Sequence, residues 1–231
     1  MEAIRLEQVG KGFTLHLRGG TALQVLRNLS LAVEAGECVV LHGASGAGKS
    51  TVLRCLYGNY RPDSGRVFVQ GNGALIDLAV ASPREIMALR RSTLGYVSQF
   101  LRVVPRVPAI ELVMEPLLER GMALDEVQQR SAEILGRLDI PARLWDLPPA
   151  TFSGGEQQRI NIARGLVADR PILLLDEPTA SLDATNRAAV VALIREAKAR
   201  GTTVVGVFHD REVREAVADR VLDLKALEVV A

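Results

Sequence analysis

Gly43-Ala44-Ser45-Gly46-Ala47-Gly48-Lys49-Ser50 places a lysine and a hydroxyl at the end of a run of glycines and small residues. Glycines let successive backbone N–H groups turn inward and converge on phosphate oxygens. The lysine then supplies a mobile cation for the outer phosphates, and the serine a hydroxyl for Mg²⁺. A second chemical pair lies far downstream, where Ile172-Leu173-Leu174-Leu175-Asp176-Glu177 is an apolar run closed by two carboxylates. Phosphoryl transfer needs one carboxylate at a strand end to hold the metal, and it uses another group to orient the attacking water. By their places, Asp176 is assigned to the metal and Glu177 to the water. An accidental glycine-rich turn or an acidic turn explains either half alone, but not the two together.

A third group, Ser153-Gly154-Gly155-Glu156-Gln157-Gln158-Arg159, has two layers. Ser153 and Glu156 make a capping box for the helix that follows. The double glycine is what capping does not need: it leaves backbone amides bare at a helix N-terminus, a second anion cradle. Two phosphate cradles so far apart in one chain imply that one serves a neighbouring molecule's nucleotide.

These groups need a scaffold that brings distant segments together. Cys38 to His42 reads as a compact apolar strand, followed by the glycine-rich turn and a helix from Lys49 towards Tyr57. Ile172 to Leu175 and Thr203 to Phe208 are further strands of the buried type. Apolar strands alternating with helical segments indicate a parallel sheet covered on both faces. Before them, Ile4 to Val9, Phe13 to Leu17 and Leu29 to Val33 read as short strands, punctuated by Gly19-Gly20 and Ala35-Gly36-Glu37. Ser82-Pro83-Arg84-Glu85 is a helix start with an N-cap serine, proline in the first turn and glutamate three residues on. Val127, Ile134, Leu135 and Leu138 fall on one face of another helix, after which Pro141, Pro148 and Pro149 stop regular structure. The expectation is a single domain: an α/β core over 1–89 and 157–231, with a mainly helical insertion over 90–156.

Composition narrows the field. Of 231 residues, almost half are hydrophobic, enough for a sizeable core, and 28 basic against 27 acidic side chains announce no nucleic-acid partner. Cys38 and Cys55 show no metal-ligand spacing and read as reduced packing residues. The N-terminus lacks the apolar core of a signal peptide, and no apolar run is long enough to span a membrane. A soluble cytoplasmic protein without direct membrane insertion is expected, any membrane part coming from another chain.

The chain resembles the ATP-binding cassette (ABC) ATPases along its whole length. Gln99 in Tyr96-Val97-Ser98-Gln99 looks like the family's Q-loop glutamine, Ser153 to Gln157 its signature, and Asp176-Glu177 its Walker B pair. Ser181-Leu182-Asp183 looks like its D-loop, and His209 after a strand like its switch histidine. The resemblance implies a P-loop nucleotide-binding domain with an N-terminal antiparallel β subdomain and a helical insertion. It implies ATP and Mg²⁺ as ligands. Phe13 would stack on adenine, Gly43 through Ser50 with Thr51 would hold the phosphates, and Ser50, Gln99 and Asp176 would serve the metal. Glu177, His209, Lys49 and Gln99 would be catalytic, while Ser153, Gly154, Gly155 and Glu156 would face the nucleotide of a second copy in an ATP-bound homodimer. Phe152 and Glu156 replace the commoner leucine and glutamine of the signature. His42 reads as a side chain beside its strand, and His16 has no assigned role.

Finer stretches point to a subgroup. Val39 to Gly43, Leu56 to Asp63, Val97 to Arg106, Phe152 to Gly165 and Gly206 to Asp210 are similar to the L-type ATP-binding protein of the bacterial carbon–phosphorus lyase system. That implies phosphonate metabolism, with carbon–phosphorus lyase core subunits and a second ABC ATPase as partners. The alternative is the ATPase subunit of an exporter or lipoprotein-releasing transporter, which Val113-Met114-Glu115-Pro116-Leu117-Leu118 resembles. A third possibility, an ATP clamp that hardly turns over, is opposed by the intact Glu177 and His209.

Overall fold

The computed structural model of the chain describes residues 1–15, 21–71, 73–101 and 105–227. Its strands divide between two sheets. β1 (Glu2–Leu15), β2 (Thr21–Glu34), β4 (Ser64–Gly71) and β5 (Ala74–Asp77) form an antiparallel sheet in the order β2-β1-β4-β5. β3 (Cys38–His42), β6 (Leu94–Val97), β7 (Ile172–Asp176), β8 (Thr203–Val207) and β9 (Arg220–Asp223) form a parallel sheet in the order β6-β7-β8-β3-β9.

Side-chain alternation sorts the parallel strands between two cores. Cys38, Val40, Leu173, Leu175 and Val204 enter one; Val39, Leu41, Ile172, Leu174, Val205 and Val207 enter the other. Burial on both faces is why these strands read as unbroken apolar runs. Each large aliphatic side chain so buried contributes roughly 1.5–3 kcal/mol. The second core also takes Val52, Leu53 and Leu56 of α1 (Lys49–Leu56) and the inner residues of β1, β2 and β4.

The first core joins the sheet to α3 (Ala109–Leu118), α4 (Leu124–Arg137), α5 (Gly154–Leu166) and α6 (Ala184–Ala199). α5 rides directly on β6: a Cβ added to Gly165 would stand 2.4 Å from Val97 Cγ2, so only glycine permits the approach. Val127, Ile134, Leu135 and Leu138 are all buried, as their spacing predicts. α2 (Pro83–Ser92) opens on the expected capping box, Ser82 Oγ accepting from Glu85 N at 3.3 Å and Ser82 N donating to Glu85 Oε2 at 2.8 Å. Between α4 and α5 the prolines leave only short 3₁₀ turns at 142–144 and 149–151. α7 (Arg211–Val217) and α8 (Leu224–Leu227) complete the described chain.

Two expectations change. The short N-terminal strands are parts of the two long ones, β1 and β2. Bulges conceal this: Gln8 and Asn28 both have φ 48°, and the pairing register shifts between Leu6 and Val9, which breaks the alternation that a period-two pattern requires. The second change is β6, which lies within the stretch expected to be helical yet pairs with β7 in the core sheet. At four residues it is too short to show a period of its own. His16, Gly19-Gly20, the end of the strand expected to reach Leu17, and Arg102 to Val104 lie outside the described residues.

Candidate functional site

Four of the segments singled out above leave the C-terminal ends of adjacent parallel strands. Gln99 follows β6, Glu177 follows β7, His209 follows β8, and the glycine-rich loop follows β3. Open α/β sheets bind ligands beyond these carboxyl ends. The loop turns through glycines in the left-handed region, Gly46 at φ 80° and Gly48 at φ 91°. A Cβ at Gly48 would also meet Leu26 Cδ2 at 2.7 Å, so the residue is fixed by both backbone and space. Gly48 is the N-cap of α1, whose first residue is Lys49. The loop and the positive end of a helix therefore face the same volume.

Lys49 is 8% exposed, and its ammonium donates to the Gly43 and Ala44 carbonyls at 2.8 Å each. Ser50 Oγ donates to Asp176 Oδ1 at 2.9 Å, bringing together the hydroxyl and carboxylate assigned to the metal although 126 positions separate them. The other oxygen, Asp176 Oδ2, accepts from Tyr96 OH at 3.3 Å. Asp176 is 2% exposed, and burial raises its pKa against the opposing bonds from Ser50 and Tyr96. Burial likewise pushes Tyr96 up to about 12, with Asp176 adding to the effect. Among the described residues, no three acidic, histidine or cysteine side chains form a metal cage. A hydroxyl and one carboxylate suit Mg²⁺, which takes its remaining ligands from water and phosphate oxygens.

Glu177 stands at φ 52°, a strained conformation for a residue other than glycine. Its carboxylate is clamped from two sides: Gln99 Nε2 donates to Oε2 at 3.1 Å, and His209 Nε2 lies 2.6 Å from Oε1. Gln99 thus meets Glu177 rather than the Ser50–Asp176 pair. Each carboxylate oxygen keeps a second acceptor direction for a water.

Phe13 lies apart, half-buried near the end of β1, packed edge-on against Tyr60 at 5.2 Å between ring centroids. Asp63 pins this corner through Lys11 Nζ at 2.5 Å and Gly12 N at 2.7 Å. Ser153 forms its capping box with Glu156 at the start of α5, and its bonds stay within that helical turn. The Ser153 hydrogen bonds hold the Glu156 carboxyl below its ordinary range. Asp183 caps α6 by accepting from Asn186 N at 2.8 Å.

Two residues of the site carry no sign of their place in the sequence: Tyr96, which bonds Asp176, and Arg187, which joins the Leu182 carbonyl (3.2 Å) to Asp210 (2.6 Å) next to His209. Only spatial pairing reveals them.

A pH prediction follows from Asp176. A raised folded pKa means that its stabilisation is fully present below the unfolded pKa and is lost as pH rises through the folded one. Above the unfolded pKa the carboxyl group is therefore a net cost to folding. Asp176→Asn should raise the melting temperature of the nucleotide-free protein at pH 7, and the gain should shrink as pH falls towards 4. Melts across that range check this; a variant less stable at pH 7 contradicts it.

Residues 26–180 match the ABC transporter family. Over 228 residues the chain is 38% identical to the macrolide export ATP-binding/permease protein MacB of Brucella abortus, covering 99% of this chain and 34% of that protein. It therefore spans about a third of the length of that relative. With the lipoprotein-releasing system ATP-binding protein LolD of Aquifex aeolicus it shares 37% identity over 230 residues, 99% of this chain and 96% of that one. Among solved structures, a dimeric ATP-binding cassette in a post-hydrolysis state bound to ADP and Pi superposes with a TM-score of 0.85 at 30% identity, covering 96% of this chain and 94% of that one.

These relatives overturn the carbon–phosphorus lyase expectation, together with the phosphonate metabolism, lyase subunits and second ATPase that it implied: they are named for macrolide export and lipoprotein release. One of the stretches that prompted it, Leu56 to Asp63, braces the fold. Tyr57 stacks on Tyr96 at 4.9 Å, Arg90 donates to Tyr57 O at 3.0 Å and Asn59 Oδ1 at 2.8 Å, and Asp63 holds the end of β1. Residues set by packing recur with the fold, whatever docks on it.

Proposed function

The chain belongs to the ABC transporter family of ATP-binding, ATP-hydrolysing cassettes, and on that premise we propose that it powers a membrane transporter of the exporter or lipoprotein-releasing kind. The observation that carries this reading is the match to the lipoprotein-releasing ATP-binding protein over 96% of that protein's length. Among the described residues no helix is long and apolar enough to cross a membrane. The permease is then a separate chain or segment, and the cassette works at its cytoplasmic side.

In the proposed cycle the glycine-rich loop amides and Lys49 hold the phosphates, and Lys49 exchanges its two carbonyl partners for phosphate oxygens. Ser50 and Asp176 would hold a Mg²⁺ ion, which when bound would supply positive charge to offset that of the phosphates. Glu177 orients the water for in-line attack on the γ-phosphorus. Gln99 and His209 hold the Glu177 carboxylate, and His209 faces the γ-phosphate. The nucleotide is closed over by the signature of a second copy. Supporting this last point, a Cβ at Gly154 would meet nothing within 4 Å. Packing inside the chain therefore gives no reason for glycine there, whereas close approach of an outside phosphate does.

Tagged Glu177→Gln protein, captured from detergent-solubilised native membranes with Mg·ATP, should bring down a multi-span membrane protein identified by mass spectrometry. Recovery of soluble proteins alone contradicts the transporter reading.

A further inference from the structure

We infer that Asn161, together with Gln158, is a positioning residue for hydrolysis: the pair holds the segments carrying Gln99 and Glu177 in the register at which those two side chains meet. Gln158 and Asn161 are three positions apart on α5 and therefore share a face. That face is turned inward, leaving them 4% and 6% exposed. Primary amides are expensive to bury unless their polar atoms are bonded, and an aliphatic residue fills such a place at less cost. What these amides bond explains their presence.

Asn161 Nδ2 donates to the Ser98 carbonyl at 2.6 Å, and Gln158 Nε2 donates to the Pro178 carbonyl at 3.2 Å. Asn161 Nδ2 also lies 3.5 Å from Gln158 Oε1, which ties the two amides together. Ser98 immediately precedes Gln99, and Pro178 immediately follows Glu177. With the Gln99–Glu177 bond at 3.1 Å the contacts close a ring: Asn161, Ser98, Gln99, Glu177, Pro178, Gln158. Pairing of β6 with β7, Val97 opposite Leu175, fixes where the strands lie. Beyond that pairing Glu177 N still donates to Val207 O of β8 at 3.0 Å, and the two amides of α5 add the ties that hold the Ser98 and Pro178 carbonyls relative to each other. Ser98 Oγ, donating to Phe100 O at 2.7 Å, tightens the segment that carries Gln99. A displacement of about 1 Å at a reacting group is enough to cost turnover heavily.

The inference rests on Glu177 being the water-orienting base, and the test separates the two. Steady-state ATPase is measured for Asn161→Ala, Gln99→Ala and the double variant, with melting temperatures recorded alongside. Asn161→Ala should lower kcat about tenfold while KM for Mg·ATP stays within about twofold, the pattern of a lost transition-state alignment rather than lost binding. Because Asn161 acts through the segment that carries Gln99, the double variant should be no slower than Gln99→Ala by more than about twofold. Gln158→Met keeps the side chain's shape without its donor and should also lower kcat at constant KM; it carries the test if Asn161→Ala does not fold. An unchanged kcat, a loss confined to KM, or losses that multiply in the double variant overturn the inference. Normal turnover in Glu177→Gln overturns the base assignment instead.

Discussion

Glu177→Gln is expected to bind ATP as the unaltered chain does and to lose turnover by about 10²–10⁴-fold, the range for removing a positioned base. That corresponds to roughly 3–5 kcal/mol of barrier. The substitution is nearly isosteric, and the special backbone at this position, φ 52° with the Glu177 N–H donating to Val207 O at 3.0 Å, does not depend on the carboxylate. Gln99 keeps an acceptor in the amide oxygen, and the ring nitrogen of His209 can meet the amide as acceptor or donor. The site should therefore stay assembled while its base is gone, and a closed dimer should accumulate on Mg·ATP. Phosphate release and equilibrium nucleotide binding, measured on one preparation, check this. Ordinary turnover in the variant rules out Glu177 as the base.

Ser153→Arg has the second large expected effect, and it acts between molecules. Ser153 is exposed at the start of α5, where the double glycine leaves amides bare. Within one chain the substitution removes a cap, which costs about 1 kcal/mol, and places a cation at the positive end of a helix, about 0.3–1 kcal/mol more. The monomer should stay folded and bind nucleotide at its own loop, Gly43 to Ser50. Closure on a partner's γ-phosphate should fail sterically, abolishing ATP-dependent dimerisation and reducing hydrolysis at least a hundredfold. Ser153→Asp sharpens the test. Aspartate also caps helices, but here it gives up the Ser153 Oγ donation to Glu156 Oε2 at 2.7 Å and sets two carboxylates together, so a modest loss of stability is expected. It puts a negative charge where the phosphate must sit, so it too should block the dimer while the monomer stays folded. If both variants dimerise on ATP and hydrolyse it normally, the signature does not complete the partner's site.

What was legible in the sequence was what is locally encoded. The glycine-rich loop, the apolar strand ending in Asp176-Glu177 and the Ser82 capping box each need only neighbours in sequence, and the structure places all three as their patterns predict. β6 and the long form of β1 were not legible. A four-residue strand carries no period, and bulges at Gln8 and Asn28 shift the alternation partway along. Long-range pairings such as Asn161 with Ser98, Tyr96 with Asp176 and Arg187 with Asp210 leave no trace in spacing, because sheet order decides who meets whom. The subgroup expectation failed for a related reason. Tyr57, Asn59 and Asp63 look distinctive as a run but are occupied in bracing the fold, so they do not report on what docks there.

ATP hydrolysis by two copies closing on each other's nucleotides is tested by specific ATPase activity as a function of protein concentration, with the association state followed by sedimentation at the same dilutions. A composite site predicts specific activity that rises with concentration and saturates as dimer forms. Specific activity that stays flat down to dilutions where the protein sediments as monomer would mean that one chain carries the whole site, contradicting a composite one.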